Sequence, residues 1–330
     1  MCFAKINSVM EHLALGTVVK DPVQVKGGLL HKMYCVRTDK GVYAVKVLNP
    51  EIMKRPVALK HTVNSEKIAA AFQSIIPVVA ALVINGKQIH ELNGAHYMIF
   101  DWMEGASIFP PMISSENCYA IGDVLGKMHH ENLAIDGVIP EEDGAEMFTW
   151  DKYQKLLQGY ENEAWAIRYQ AALSDIKAWN QAACDAGEVL AKTLVISHCD
   201  LDPKNVMWNR NEPLIIDWEA AGYVNPYQEF LEIVNYWADD GKGGLLNTHF
   251  DALYNAYTQH VKLENVDWNV VFAGSYMGML GWLEYNVKRA LGIEVATADE
   301  VQLGKEQVIG TIKALYAYQE KVLMMKRRLV

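Results

Sequence analysis

Alternation of apolar and polar residues dominates the first hundred positions of the chain and predicts β-strands there. The predicted strands are residues 23–25, 30–37, 42–48, 82–84, 89–92 and 97–100. A turn at Gly27 and Gly28 separates the first two strands, and residues 38–41 form the next turn. Residues 64–72 have helical periodicity, with Asn64 or Ser65 as the expected cap. We therefore expect a strand-rich region with one helix.

Beyond Gly105 the apolar positions recur with the period of an α-helix. The predicted helices are residues 115–130, 150–186, 226–238, 248–261, 269–291 and 298–326, and the predicted strands are residues 193–197, 206–208 and 214–216. Asn225 followed by Pro226 is a good helix start, because Asn accepts free backbone N–H groups and Pro fits the first helical position.

A chain of 330 residues is long enough for two hydrophobic cores. Together with the change of pattern near residues 103–107, this length predicts an α+β fold with two lobes. The small, strand-rich N-lobe is expected at residues 1–104, and the larger, mainly helical C-lobe at residues 105–330.

The two short strands at residues 206–208 and 214–216 are predicted to pair antiparallel across a turn at residues 209–213. In that register residue 206 faces residue 216, so Asn205 faces Asp217 at the open end of the hairpin. Directly opposed side chains have Cβ atoms roughly 4.5–5.5 Å apart, close enough for an amide oxygen and a carboxylate to share a hard cation. We therefore predict a magnesium site at these two residues. A metal site with only two protein ligands suits a metal–nucleotide complex.

Asp200 follows the predicted strand at residues 193–197, in a loop that leads to Asn205. Its carboxylate can accept a hydroxyl proton beside the metal. Phosphoryl transfer needs an acceptor oxygen held in line, a group that receives its proton, and neutralised phosphate charge. Taken singly, each of these polar residues is better explained as a cap of a turn or hairpin. Their combination favours a kinase that moves the terminal phosphoryl group of a nucleoside triphosphate.

The segment HCDLDPKNVMWNRNEPLIIDWE contains the pattern HxDxxxxN, followed by an apolar strand that ends in Asp. This pattern resembles the catalytic and metal-binding segment of the aminoglycoside phosphotransferase and choline kinase family, which has the protein-kinase-like fold. The resemblance implies Asp200 as the catalytic base and Asn205 and Asp217 as Mg²⁺ ligands. It also implies a phosphotransferase with an alcohol acceptor and ATP as the donor, with GTP as the alternative.

In the segment GVYAVKVL, alternation places Lys46 on the same strand face as Val42 and Ala44. A lone lysine among apolar neighbours in this kinase-like pattern is the expected phosphate-binding lysine; a solvated lysine at a strand end is the alternative. Glu66 resembles the glutamate that pairs with and orients this lysine in kinases. The alternatives are an exposed acid near a helix N-terminus, and Glu51 as the partner.

Two further segments resemble nucleotide-binding parts of the kinase fold. Gly27 and Gly28 lie between strands, where backbone amides can approach phosphates, although they lack the GxGxxG pattern and a plain hairpin turn explains them equally well. The resemblance also implies that backbone groups of Asp101 and Met103 bind the adenine and that Phe100 lines its pocket.

Two departures from protein kinases favour a small acceptor. Position 199 is Cys where protein kinases carry the Arg that receives an activation-loop phosphate, and Asp217 is followed by Trp-Glu rather than Phe-Gly. The chain then runs directly to the helix start at Asn225, which leaves little room for a peptide-docking segment. We therefore expect a small-molecule acceptor and no regulation by loop phosphorylation.

Acidic and aromatic residues are the candidates for acceptor binding, namely Glu219, Glu229, Trp237 and Glu284. Carboxylates pair with amino groups and aromatic faces attract quaternary ammonium groups, so the acceptor is expected to carry an amine, as aminoglycosides, choline and ethanolamine do. An aromatic residue at helical spacing, such as Trp237, is more typical of a packed core. The alternatives are a nucleotide-binding pseudokinase, or a kinase for a sugar, a hydroxy amino acid or a protein.

The composition limits the classes of binding partner that are expected. The formal charge of −10 disfavours nucleic acid, whose phosphates demand a basic surface. The five cysteines show no Cys-x-x-Cys spacing, so reduced thiols are expected. Gln73, Ser74 and Pro77 interrupt the longest apolar run, and the first sixteen residues lack the features of a signal peptide. We expect a cytoplasmic protein without a membrane partner.

Overall fold

The computed structural model describes residues 3–25, 31–140, 147–293 and 297–330. These residues form two compact units. Unit 1 comprises Met1–Phe109, His130–Ile139 and Ile196–Gly222, and unit 2 comprises Pro110–His129, Pro140–Val195 and Tyr223–Val330. Unit 1 thus combines the N-terminal strands with the segment that carries Asp200, Asn205 and Asp217. The predicted lobe boundary between residues 104 and 105 stays a prediction.

The N-terminal elements are helices α1, α2 and α3 and strands β1 to β5. Their bounds are α1 Phe3–His12, β1 Val18–Val25, β2 Lys32–Thr38, β3 Val42–Val47, α2 Pro50–Met53, α3 Ala58–Phe72, β4 Ile89–Leu92 and β5 Ala95–Asp101. Gly27 and Gly28 lie outside the described residues.

The five strands β1 to β5 form one antiparallel sheet in the order β1-β2-β3-β5-β4. Alternation along β3 divides its side chains between the two faces of this sheet. Val45 packs in a core with Ile99 and with the α1 residues Val9 and Met10. Lys46, the next residue, therefore points to the opposite face.

The described part of the remaining chain contains helices α4 to α11 and strands β6 to β9. Their bounds are α4 Ser115–Glu131, α5 Trp150–Lys155, α6 Ala164–Leu190, β6 Val195–Ser197, β7 Val206–Asn209, β8 Glu212–Ile215, β9 Gly222–Val224, α7 Pro226–Trp237, α8 Asn247–Tyr257, α9 Trp268–Gly274, α10 Met277–Ala290 and α11 Ala298–Leu329. Short 3₁₀ turns occupy Pro203–Asn205 and Trp218–Ala220. No helix in the described residues is both long and apolar enough to cross a membrane.

Helix starts and interruptions follow from local chemistry. The predicted start of α7 is confirmed, because the Asn225 side chain accepts hydrogen bonds from the backbone N–H groups of Tyr227 and Gln228. Helix α3 begins at Ala58, so the predicted cap at Asn64 or Ser65 was wrong. Ser65 is accommodated inside the helix because its hydroxyl donates to the carbonyl of Thr62, 3.0 Å away.

The predicted helix at residues 150–186 is two helices, α5 and α6. Gly159 lies between them with a φ of 91°, a conformation that ends an α-helix. The predicted helix at residues 269–291 is likewise divided into α9 and α10. Residues 82–84 form no strand in the structure, although the backbone N–H of Leu82 donates to the carbonyl of Ile99 on β5.

Candidate active site

The hairpin of β7 and β8 is one residue tighter than predicted. Val206 pairs with Ile215 rather than with residue 216, and the two-residue turn contains Arg210 with a φ of 59°. Pro213 is tolerated inside β8 because its partner, Trp208, directs its own backbone bonds to Ala106 on the other side. The predicted pairing of residues 205 and 217 was therefore wrong, since the backbone N–H of residue 216 donates to the carbonyl of Asn205.

Asp200 lies in the loop after β6, and the buried His198 fixes that loop. The Nε2–H of His198 donates to the carbonyl of Ile216 at 3.0 Å, while its Nδ1 accepts the backbone N–H of Asp200 at 3.3 Å. This tautomer joins the loop to the chain that follows β8.

Asn205 holds the Asp200 carboxylate directly. Its side-chain amide donates to the Asp200 Oδ2 at 2.9 Å and to the Asp200 carbonyl at 2.8 Å. The 3₁₀ turn that carries Asn205 is capped by Asp202, whose side chain accepts the backbone N–H of Lys204. Because the amide nitrogen is engaged with Asp200, the Asn205 Oδ1 is the atom left to act as a metal ligand.

Lys204 is a cation beside Asp200 that the sequence reasoning missed. Its Nζ lies 3.3 Å from the Asp200 carboxylate and 3.9 Å from the Asp202 carboxylate. The signal was present, because Lys204 lies four positions after Asp200 in the same loop. Its side chain is half-exposed.

Asp217 adopts a left-handed backbone conformation, with φ 60° and ψ 63°. This conformation is costly for a residue other than glycine and is common at functional sites. The Asp217 Oδ1 lies 2.9 Å from the Nζ of Lys46, and its side chain is 47 % exposed. The carboxylate is therefore both bound to a lysine and accessible to a ligand.

Lys46 is buried on β3 and is neutralised by two carboxylates. Its Nζ contacts Asp217 and Glu219 in ion pairs. Burial alone would lower the pKa of Lys46, but the charges of both carboxylates outweigh that effect and raise it. The lysine is thus held in its charged form, which a phosphate-binding lysine requires.

Glu219, which was predicted to bind the acceptor, contacts Lys46 and His31 in the structure. Its carboxylate lies in the 3₁₀ turn that follows Asp217, 3.2 Å from the Nε2 of His31. Burial would raise the pKa of Glu219, but the neighbouring His31 and the charge of Lys46 bring it down to about 2. Glu219 is therefore an ionised partner of the buried lysine.

His31 is a second residue that the sequence reasoning missed. Its Nδ1 accepts the backbone N–H of Asn49 at 2.8 Å, so the ring proton resides on Nε2 and points to Glu219. Nothing in the sequence near His31 marks this role, because its partner Glu219 lies far along the chain.

Glu66 does not form the predicted ion pair with Lys46. It is 5 % exposed, and its Oε2 accepts the backbone N–H of Ala81 at 2.8 Å. Burial raises the pKa of Glu66 to about 7, against the lowering effects of the Ala81 hydrogen bond and the Lys46 charge. Glu51, the alternative partner, is exposed and pairs with Lys54 instead.

The end of β5 has backbone groups that do not bond to β3. Asp101 pairs with Tyr43 on β3, while the neighbouring Trp102 donates its backbone N–H to the carbonyl of Val42. Because antiparallel neighbours alternate in the direction of their bonds, the backbone of Asp101 points away from β3. Phe100 packs against a small core of Leu48, Ala81 and Met98, and Met103 is partly buried just beyond the strand.

The predicted acceptor-binding residues of unit 2 differ in accessibility. Glu229 is 1 % exposed and lies 2.7 Å from the Nε2 of His129, and Trp237 is 1 % exposed in the core. Both side chains are buried because a helix face at that spacing packs inward, and their acceptor-binding role stays a prediction. Glu284 is partly buried and its carboxylate binds the ammonium of Lys288 at 2.8 Å.

The donor set of unit 1 suits Mg²⁺ that arrives with a nucleotide. An amide oxygen from Asn205 and a carboxylate from Asp217 are hard oxygen ligands, and Mg²⁺ is bound by one or two such groups together with phosphates and water. No cluster of three or more His, Cys, Asp or Glu side chains able to hold a metal alone occurs in the described parts of the chain. A cation that brings its own phosphate ligands therefore fits these residues.

The model of the phosphotransferase enzyme family, APH, matches residues 22–261. No curated protein matches the chain.

Among solved structures, the chain is similar to the spectinomycin phosphotransferase APH(9)-Ia in complex with ADP and spectinomycin, with a TM-score of 0.64 and 12 % identity over 97 % of this chain and 99 % of that one. It is similar to APH(2")-IIia in complex with GDP and kanamycin, with a TM-score of 0.61 and 11 % identity over 94 % and 98 % of the two chains. It is also similar to the Plasmodium vivax ethanolamine kinase, with a TM-score of 0.53 and 14 % identity over 88 % and 81 %. These similarities confirm the predicted protein-kinase-like α+β fold.

Proposed function

The chain belongs to the phosphotransferase enzyme family, and we propose that it transfers the γ-phosphoryl group of ATP to a hydroxyl group of a small, amine-bearing molecule. The observation that carries this proposal is the linked set of side chains in unit 1. Asn205 binds Asp200, and Asp217 binds Lys46, so a base, two metal ligands and a phosphate-binding cation are supplied within one unit.

Asp200 is the proposed base. Its carboxylate accepts the proton of the acceptor hydroxyl as the oxygen attacks phosphorus, and the hydrogen bond from Asn205 holds it in place. Lys204 lies beside the same carboxylate and is proposed to contact the transferred phosphoryl group. The bond between the γ-phosphorus and the β–γ bridging oxygen breaks as the new bond forms, so ADP leaves, the acceptor gains the phosphoryl group, and the protein receives only the proton at Asp200.

Lys46 is the proposed ligand of the non-transferred phosphates. Its ammonium has three hydrogens, of which two meet Asp217 and Glu219, so one remains for a phosphate oxygen. Asn205 and Asp217 would hold Mg²⁺, which neutralises phosphate charge when it is bound.

The backbone of Asp101 and Met103, with Phe100 beside it, is the proposed base-binding edge. Its orientation away from β3 supports hydrogen bonding to an adenine or a guanine. ATP is proposed as the donor, with GTP as the alternative, since the similar structures hold ADP or GDP.

An amine-bearing acceptor is supported by the named ligands and substrates of the similar structures, which are spectinomycin, kanamycin and ethanolamine. In unit 2, the exposed rings of Trp282 and Tyr285 lie 5.5 Å apart, and Arg289 already lies over the Tyr285 ring. Glu284 already accepts an ammonium group from Lys288. These aromatic and acidic groups have the chemistry that binds cationic amines.

A nucleotide-consumption screen tests the proposal. ATP and GTP are each incubated with amino alcohols, aminoglycosides, sugars and hydroxy amino acids, with and without Mg²⁺, and the phosphorylated product is identified by mass spectrometry. We expect Mg²⁺-dependent consumption with at least one amine-bearing acceptor. Nucleotide binding without consumption in every arm would contradict transfer, and product found only with sugars would contradict the amine.

A further inference from the structure

We propose that Glu219, rather than Glu66, is the residue that positions the phosphate-binding lysine, and that His31 holds Glu219 in place. The inference rests on the proposed function only in that it takes Lys46 as the lysine that binds phosphate. In kinases this positioning is expected from a helix glutamate, and Glu66 is the residue of this chain at that place. The contacts in unit 1 assign the task to another carboxylate.

A continuous set of contacts leads from the backbone to Lys46. The backbone N–H of Asn49 donates to the Nδ1 of His31 at 2.8 Å. The Nε2 of His31 then lies 3.2 Å from the Oε1 of Glu219, and that same oxygen forms the ion pair with Lys46. The imidazole is thus anchored to the backbone on one side and lies against the Glu219 carboxylate on the other.

Glu66 has a different partner and lies farther from the lysine. Its carboxylate accepts the backbone N–H of Ala81, and the described contacts of Lys46 within ion-pair distance are those with Asp217 and Glu219. The ion pair with Lys46 is therefore made by Glu219, while the carboxylate of Glu66 is engaged with the backbone of Ala81.

The two carboxylates on Lys46 differ in what else they can do. Asp217 is the more exposed of the two and is a proposed metal ligand, so a metal–nucleotide complex competes with Lys46 for it. Glu219 has His31 as a second partner and a less exposed side chain. Glu219 can therefore keep Lys46 aimed at the phosphates after Asp217 has turned to the metal.

A double-mutant cycle on nucleotide affinity tests this role. The dissociation constant of a Mg²⁺ complex of a non-hydrolysable ATP analogue is measured by calorimetry for the wild type and for Glu219→Gln, Lys46→Met and the double variant. Glu66→Gln, alone and with Lys46→Met, is the matched control. We expect Glu219→Gln to weaken binding about tenfold, because Lys46 loses one of its two carboxylate partners while Asp217 remains.

If Glu219 acts through Lys46, the Glu219→Gln change adds less than about twofold once Lys46 is Met, since effects that share one contact are not additive. Glu66→Gln alone is expected to change binding by less than about threefold, because its carboxyl does not contact the lysine. If the affinity losses of Glu219→Gln and Lys46→Met add fully in the double variant, the inference is overturned. A larger affinity loss for Glu66→Gln than for Glu219→Gln would also overturn it.

The variant His31→Gln provides a second test, which leaves the charged groups of Lys46 and Glu219 in place. It is expected to weaken binding several-fold, and to add nothing when Lys46 is Met. An unchanged affinity in His31→Gln would overturn the role of His31. Thermal unfolding of each variant shows whether it is folded, and if Glu219→Gln is not, the cycle is run with Glu219→Asp.

The same measurements separate this inference from the proposed function. Binding is measured without any acceptor, so its result does not depend on whether transfer is found. A wild type that binds no Mg²⁺–nucleotide would overturn both claims. A wild type that binds and transfers, with additive losses at Glu219 and Lys46, would overturn the inference alone.

Discussion

Burial determines the ionisation of Glu66. The side chain is 5 % exposed, and burial raises its pKa from 4.5 to about 7. The neighbouring charges act in both directions, since Lys46 lowers this pKa while Glu219 and Asp217 raise it. A carboxyl that binds its proton more tightly in the folded than in the unfolded chain makes stability depend on pH.

The Glu66→Gln variant tests this effect. The contribution of the wild-type carboxyl is fully present below its unfolded pKa of 4.5 and is lost as the pH rises through about 7. Gln keeps the acceptor for Ala81 and cannot ionise, so between pH 4.5 and 8 it should gain about 3 kcal/mol of unfolding free energy relative to the wild type. Urea unfolding of both proteins across that range measures the difference. Parallel pH profiles would contradict it.

Single residues were predictable where their chemistry is local. Asp200, Asn205 and Lys46 were predicted as site residues from spacing and alternation, and the structure brings Asn205 to Asp200 and Asp217 to Lys46. The contact of Lys46 with Glu219 was not predictable, because it joins a strand and a turn that are distant in the chain.

At the scale of secondary-structure elements, glycines show where helices pack against their neighbours. Gly122 lies in α4, and an added Cβ there would be 2.5 Å from the carbonyl oxygen of Leu253 on α8. Gly310 lies in α11, where an added Cβ meets nothing within 4 Å. The two glycines therefore have the same helical propensity and opposite surroundings.

This contrast predicts opposite effects of the same substitution. Gly310→Ala should stabilise the protein by about 0.5–1 kcal/mol, because Ala is the better helix former. Gly122→Ala should destabilise it by about 1–3 kcal/mol, because the backbone of α8 must move away from the new methyl group. Denaturant unfolding of the two variants checks the prediction, and a stabilising Gly122→Ala would contradict the close packing of α4 on α8.

The elements themselves were largely predictable, and their ends were not. The predicted helix at residues 115–130 and the strand at residues 42–48 differ from α4 and β3 by one residue at one end. Errors arose where one residue carries the information, as with Gly159 between α5 and α6 and Arg210 in the hairpin turn. A periodic pattern continues across such residues, so it does not show them.

For the whole molecule, a ligand that binds only the folded chain must stabilise it. A nucleotide at 100 times its dissociation constant stabilises the folded state by about 2.7 kcal/mol. For a chain of 330 residues this corresponds to a rise of about 4 °C in Tm. Nucleotide binding at the proposed site should therefore raise Tm even when no acceptor is present.

Thermal unfolding with a non-hydrolysable ATP analogue measures this consequence. The wild type should show a larger Tm rise with Mg²⁺ than with a chelator, because the proposed ligands Asn205 and Asp217 would hold the metal that neutralises the phosphate charge. Asp217→Asn is the control, and its Tm should respond equally with and without Mg²⁺. An equal response of the wild type in the two conditions would contradict the metal site.

The fold of the whole molecule could be predicted because several local signals agree. A strand-rich beginning, a helical remainder and the segment from His198 to Asp217 all indicated a protein-kinase-like fold, and the family match confirms the phosphotransferase class. The identity of the acceptor could not be predicted. Acidic and aromatic residues occur both in binding sites and on packed helix faces, and Glu229 and Trp237 are buried.

The rate of phosphoryl transfer by Asp200→Asn tests the proposed reaction most directly. With the best acceptor from the screen, Mg²⁺-dependent transfer by the variant should fall at least about 100-fold below the wild type, because Asn cannot receive the hydroxyl proton. Its dissociation constant for the Mg²⁺–nucleotide complex, measured on the same preparation, should stay within about threefold. A variant that transfers at the wild-type rate would contradict the role of Asp200 and the reaction built on it.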